Sequence, residues 1–329
     1  LEELIKNLCE VFGPSGDEDL ARELIKKEIE PYCDSLLTDA LGNLLAFKGK
    51  GGKKIIVDAH IDEIGIIITS IEDEGFLRFA PVGGMRAKDI INQRYRFKNN
   101  RVGVVNVEKV EDEGKIDFSK LYLDIGAKNK EEAQSLVKIG EMAVFDRNAL
   151  FEGSRIIAKA LDNRISCTVL IETLKAIKET PNELIFAFTV QEEVGLRGAR
   201  TASFQVEADY GIAVDVTDTG DVPKPEAEMA VKLGEGPTIK IMDSAVIAHP
   251  KVRDKMIAVA EKNQIPYQRE VLTAGGTDTG VILLTRQGIP AGAISIPCRY
   301  IHSPNEMADL EDVKRAVKLL TALLEEKWD

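Results

Sequence analysis

From Gly153 onward, short apolar runs alternate with segments of helical periodicity, and few architectures accept such an order. Apolar runs fall at 156–160, 184–190, 211–214, 267–272 and 291–296. Between them, apolar spacing predicts helices over 165–178, just after 190, over 251–263, near 279–287 and over 310–327. A continuous apolar run is covered on both faces, which requires a helical layer on each side of the sheet. The expected fold is therefore α/β, a mixed sheet flanked by helices.

The first 65 residues extend that plan. Leu1, Leu4, Ile5 and Leu8 share one helical face, and Ser15 with Glu18 has capping-box spacing ahead of a second helix ending near Glu30. A hairpin of 35–38 and 43–47, turned at Leu41-Gly42, precedes an apolar strand at 54–57. Residues 66–152 read differently. Runs at 66–71, 76–79, 95–97, 102–107 and 121–125 are separated by turn-formers, with one short helical stretch near 130–138. This predicts a catalytic domain made of 1–65 and 153–329, interrupted by a small β-rich, barrel-like domain at 66–152.

The 329 residues are 44% apolar, enough for one large core with a satellite. A formal charge of −12 with no Lys/Arg-rich tract repels phosphate backbones and anionic lipid, so no nucleic acid or membrane partner is expected. The opening L-E-E-L-I-K-N-L is acidic and amphipathic, and no window approaches eighteen uninterrupted apolar residues, which gives a cytoplasmic expectation. Cys9, Cys33, Cys167 and Cys298 lie far apart without a C-x-x-C pair, as reduced thiols do.

Chemistry-bearing residues gather at the ends of the expected strands, where loops of an open α/β sheet assemble ligand sites. His60 ends a run in V-D-A-H-I-D-E, with Asp62 two residues on to orient its imidazole. A surface turn with acidic neighbours is the plain alternative. Asp162 follows the run at 156–160 in A-L-D-N-R, where a helix N-cap is the plain alternative. Glu192 and Glu193 end the run at 184–190. Adjacent carboxylates repel unless a cation neutralises one, and neighbours in extended chain face opposite ways, so one can bind metal while the other moves a proton. Asp215 ends I-A-V-D, and His302 lies in R-Y-I-H-S-P-N-E after the run at 291–296. Two imidazoles and hard carboxylate oxygens suit two divalent cations, zinc or cobalt above manganese. His249 reads as a loop residue before a helix, Gly275-Gly276-Thr277-Asp278 as a turn lining a pocket, Gly83-Gly84 as a turn, and the acidic 108–113 as a solvated hairpin without ligands.

The segments D-A-H-I-D-E-I-G, A-L-D-N-R, Q-E-E-V-G-L-R-G-A, V-D-V-T, G-G-T-D-T-G and R-Y-I-H-S-P resemble the cocatalytic-metal aminopeptidases that include glutamyl, deblocking and tetrahedral aminopeptidases. The resemblance spans essentially the whole chain. It implies that His60 and Asp215 bind one metal, Glu193 and His302 the other, and that Asp162 bridges them. By the same resemblance Glu192 is the general base of a metal-bridged hydroxide that attacks an N-terminal peptide bond, and Asp62 is the partner of His60. Asn163 stands where the family more often has Asp, a difference read as tuning. The resemblance further implies a zinc-exopeptidase-like fold, a peptide substrate, and dimers building to dodecamers, with the inserted domain serving oligomerisation or gating. Two alternatives remain: a glycoside hydrolase of endoglucanase type, a label some relatives have carried, and a non-catalytic metal-binding relative. The first needs two carboxylates flanking a bond, which neighbours in sequence do not provide, and the chain has a single Trp, Trp328, for stacking sugars.

Overall fold

The computed structural model describes residues 1–110, 116–225 and 229–329. Its larger body is built on an eleven-stranded mixed sheet. At the centre, Glu183–Thr189, Lys54–His60, Tyr210–Thr217 and Ala291–Arg299 run parallel, so their carboxyl ends emerge on one edge. Antiparallel strands extend the sheet on both sides. Ser35–Thr38 and Leu44–Lys48 flank Glu183–Thr189, while Glu306–Asp309, Arg155–Ala158 and Leu150–Glu152 continue beyond Ala291–Arg299.

Strand alternation sorts the side chains. Ile55, Val57 and Ala59 enter the large core with the helices Glu2–Glu10, Leu161–Ala176 and Leu310–Glu325, while Ile56 enters the opposite core with Arg197–Val206 and Thr279–Leu283. Asp58 and His60 therefore share the face of Ile56, at the carboxyl end of the strand. The chain leaves the sheet at His60 and enters a closed six-stranded barrel at Gly65. In spatial order the barrel is Gly65–Ile71, Leu77–Val82, Leu121–Asp124, Val102–Val107, Arg94–Phe97 and Met142–Phe145, around its own apolar core.

Several details differ from the sequence reading. Glu18, not Ser15, is the N-cap of the helix Asp19–Ile29, and it makes no side-chain cap bond, because both residues turn toward the carboxyl edge of the sheet. Four strands are unforeseen, Met142–Phe145, Leu150–Glu152, Thr238–Met242 and Glu306–Asp309, and the last two carry charged side chains into the interior. In Thr238–Met242, buried Lys240 is neutralised by Glu270 and, at 3.2 Å, by Asp243. The helix near 279–287 is shortened to Thr279–Leu283. His249 is the N-cap of Pro250–Lys262, its Nδ1 accepting from the Lys251 N–H. Of the acidic stretch at 108–113, residues 111–113 lie outside the described residues, and Glu108 pairs with Arg78. Among the described residues, no helix is long and apolar enough to cross a membrane.

Candidate metal centre

Parallel register brings the first donors together. Thr189 lies opposite His60, so Glu192 and Glu193 follow just past the sheet edge beside it. Ala213 lies opposite Asp58, and Asp215, two residues on, projects at the level of His60. Asp162 arrives from the strand Arg155–Ala158 at the start of the helix Leu161–Ala176. Its carboxylate does not cap the helix: the backbone of Asp162 and Asn163 departs from helical geometry, and the two Asp162 oxygens face His60 and His302. His302 arrives from the loop beyond Ala291–Arg299.

The six side chains meet in one cluster. His60 Nε2 lies 3.1 Å from Asp162 Oδ1, 3.8 Å from Glu192 Oε2 and 3.9 Å from Asp215 Oδ1. His302 Nε2 lies 3.3 Å from Asp162 Oδ2 and 3.1 Å from Glu193 Oε2. Each oxygen of Asp162 thus faces a different imidazole. From the barrel, Gly83 and Gly84 close against this cluster. A Cβ on Gly84 would stand 3.1 Å from His302 Nδ1, and one on Gly83 would stand 3.2 Å from the Glu193 Cβ, so this turn is also a wall of the site.

Three further carboxylates fix the main chain beneath the cluster. Asp62 Oδ1 accepts from the Glu192 N–H at 3.0 Å, and its Oδ2 accepts from the Glu193 N–H at 3.1 Å and from Ser15 Oγ at 2.6 Å. Its separation from His60 Nδ1, 3.5 Å, is an ion-pair contact too long for a good hydrogen bond. Glu306 accepts from the Asp162 and His302 N–H groups, each at 2.9 Å. Glu18 Oε1 accepts from Gly16 N–H and from Gln191 N–H, at 2.6 and 3.2 Å. Asn163 Nδ2 donates to the Val214 carbonyl at 2.9 Å, tying the segment of Asp162 to that of Asp215. Below these, Lys159 is paired with Glu63 at 2.5 Å, and both are buried.

The electrostatics favour positive charge in the centre. Burial opposes protonation of the imidazoles, yet hydrogen bonds and charge from Asp162 and Glu193 push His302 up to about 12. Burial likewise works against His60, but Glu192, Asp162 and Asp62 raise it well above its ordinary value. Burial is also the main reason that Glu192, Glu193 and Asp215 are raised, with neighbouring carboxylates adding to it. Asp162 is buried as well, but the two imidazoles hold it below the ordinary range. Behind His60, burial pushes Asp58 up to about 7, and burial together with the nearby Asp58 raises Asp278 well above its ordinary value.

A cation fits this donor set. His60 with Glu192 and Asp215, and His60 with Asp162 and Glu193, each present ligand atoms within 4.8 Å of one another. Glu193 Oε1 is buried with no hydrogen-bond partner among the described residues, a costly state that a bound cation relieves. Mixed imidazole and carboxylate donors suit borderline divalent ions.

All seven expected site residues lie in or directly beneath this cluster. The sequence reading missed the supports Glu18, Glu63, Lys159 and Glu306, and the acid pair Asp58 and Asp278. A lone carboxylate next to a turn carries no periodic signal. Ser15 and Glu18 did carry one, but it matched a helix cap.

Residues 42–319 match a family model described as M42 glutamyl aminopeptidase. A lysyl aminopeptidase of Pyrococcus furiosus is 38% identical over 339 residues, with 98% of this chain and 96% of the relative covered. A TET1 peptidase of Pyrococcus horikoshii, described as able to assemble into a tetrahedron or a large octahedral shell, superposes with a TM-score of 0.89. It is 36% identical, with 98% of this chain and 99% of the other covered. A Thermotoga maritima structure described as an endoglucanase superposes at 0.84, with 34% identity and 98% and 96% coverage.

Proposed function

The chain belongs to the M42 glutamyl aminopeptidase family and is an aminopeptidase, and from that premise we propose how its residues divide the work. His60 and Asp215 hold one divalent cation, Glu193 and His302 a second, and Asp162 belongs to both, with zinc or cobalt as the ions. When bound, such a pair polarises the scissile carbonyl and makes the attacking water more acidic. Glu192 takes the proton from that water and returns it to the departing amine. Its side chain is about one-eighth exposed, which leaves it open to substrate while burial keeps its proton affinity high. Asp62 grips the main chain at Glu192 and Glu193, so base and ligand keep their separate directions.

The observation that carries this reading is Asp162, with one oxygen 3.1 Å from His60 Nε2 and the other 3.3 Å from His302 Nε2. Glu192→Gln tests it. Metal content per chain should stay at two while release of amino acids from unblocked peptides falls by ~10²–10⁴. Undiminished turnover in this variant removes Glu192 from the mechanism.

The description of the Thermotoga neighbour favours a second reading, glycoside hydrolysis. Its chemistry is poorly served here. Glu192 and Glu193 are consecutive residues held by one carboxylate, whereas glycosidase carboxyl groups stand on either side of the bond. Trp328 is 3% exposed and packed on Tyr210, so it offers no platform for a sugar ring. Release of sugar from soluble β-glucan by metal-free protein would promote this reading.

The assembly described for the Pyrococcus horikoshii neighbour supports a homo-oligomer here, dimers building to a dodecamer, with the insertion at 66–152 shaping contacts or access. Light scattering after size exclusion measures it.

A further inference from the structure

Glu306, like Asp62, has both of its oxygens engaged by main chain, but where the donors of Asp62 are neighbours, those of Glu306 lie on separate segments. It opens the strand Glu306–Asp309, opposite Ala158 on the strand that leads to Asp162, and it is 2% exposed. One oxygen accepts from the Asp162 N–H and the other from the His302 N–H. A single carboxylate on a rigid strand therefore sets the spacing of two residues whose side chains meet 3.3 Å apart.

The two imidazoles differ in how much outside support they need. His60 lies on a strand paired on both sides, with Thr189 opposite it and a buried ring. His302 lies in a loop, with a side chain 36% exposed and a left-handed backbone, φ 62°, two residues after Tyr300 at φ 61°. That conformation costs a side-chain-bearing residue about 1–2 kcal/mol and persists only where the surroundings enforce it. Among the described residues its N–H makes one hydrogen bond, and that bond goes to Glu306. Asp162 has further anchorage, through His60 Nε2 and through the bond of Asn163 to Val214.

We propose that Glu306 is a positioning residue that acts through His302. It sets cation affinity at the Glu193/His302 position while leaving the His60/Asp215 position nearly unchanged. The inference rests on the cation pair of the preceding subsection.

The test titrates metal-free protein with Co²⁺ and with Zn²⁺, reading stoichiometry and affinity by calorimetry and by the visible absorption of bound cobalt. Wild type should take two equivalents. Glu306→Gln should keep one equivalent at wild-type affinity and lose about 10–100-fold at the other. Adding Glu306→Gln to His302→Ala should not further weaken the ion that remains. Glu306→Asp, whose shorter arm cannot span both amides, should repeat the selective loss, and it serves as the measurement if the Gln variant does not fold. Equal weakening at both positions, no weakening at either, or additional loss in the His302→Ala background overturns the assignment. Fewer than two equivalents in wild type would instead overturn the cation pair itself.

Discussion

Replacing Asp62 by Asn keeps the shape of the side chain but removes one acceptor, and the consequences follow from its three short contacts. The remaining oxygen can serve the Glu192 or the Glu193 N–H, not both, so an amide NH₂ is left facing a buried main-chain donor. Hydrogen bonds to a charged group contribute about 1.5–3 kcal/mol and a stranded buried donor costs about 1–3 kcal/mol; because both describe the same lost bond they overlap, and the net loss is about 2–4 kcal/mol. At about 2 °C per kcal/mol for a chain this large, the midpoint of metal-free protein falls by about 4–8 °C. The pH dependence has a definite sign. Burial works against the charge on Asp62, but His60, Ser15 and the Glu192 N–H overcome it and hold this carboxyl below its ordinary value. Its stabilisation is complete above the unfolded value of about 3.9 and disappears as pH falls through the lower folded value. The gap between wild type and variant should therefore be the same at pH 5 and pH 8 and shrink only in acid. Turnover should fall about 10²-fold, the cost of shifting a catalytic group by about 1 Å. Thermal melts across that pH range, with peptide hydrolysis at saturating metal, check both parts. A gap under about 0.5 kcal/mol, the size of a neutral surface change, would refute the reasoning.

Glu18→Gln should stabilise the protein at neutral pH. Burial raises Glu18 from 4.5 to about 7, so wild type loses stability as pH climbs between those values, by about 3 kcal/mol at 1.36 kcal/mol per unit. Only Oε1 is used, by the Gly16 and Gln191 N–H groups, and Gln retains that oxygen. Urea unfolding at pH 4 and pH 8 should show the gap opening with pH, and parallel curves would remove Glu18 as its source. Cation binding at pH 7 should release protons, because His302 is pushed up to about 12 and His60 is raised as well in the metal-free centre, and an imidazole must be neutral to ligate. Calorimetry in buffers of different ionisation enthalpy counts them, and zero release would contradict protonated imidazoles.

How much of this centre is legible in sequence depends on whether a residue's partner is local. His60, Glu193 and Asp215 end apolar runs, and in a parallel sheet every such end opens on the same edge, so their convergence follows from the alternation alone. The supports obey no such rule. Ser15 and Glu18 have the spacing of a capping box because cap and site support ask for the same thing, short polar groups that accept main-chain N–H bonds. The structure separates the two uses by sending Ser15 to Asp62, 47 positions away, and Glu18 to Gln191, 173 positions away. Lys240 hid its strand for the same reason, since a buried ammonium is stable only beside Glu270 and Asp243. Glu306 follows four residues after His302 and looks like one more acid in a polar loop. What makes it a clamp is the pairing of its strand with Arg155–Ala158, which sets the Asp162 N–H within reach across 144 positions. Ligands that project from strand ends are thus written in the hydrophobic pattern, whereas the groups that hold those ligands still are written in the tertiary pairing of strands. A substitution series confined to the legible residues would map the chemistry of this centre and miss what keeps His302 in place.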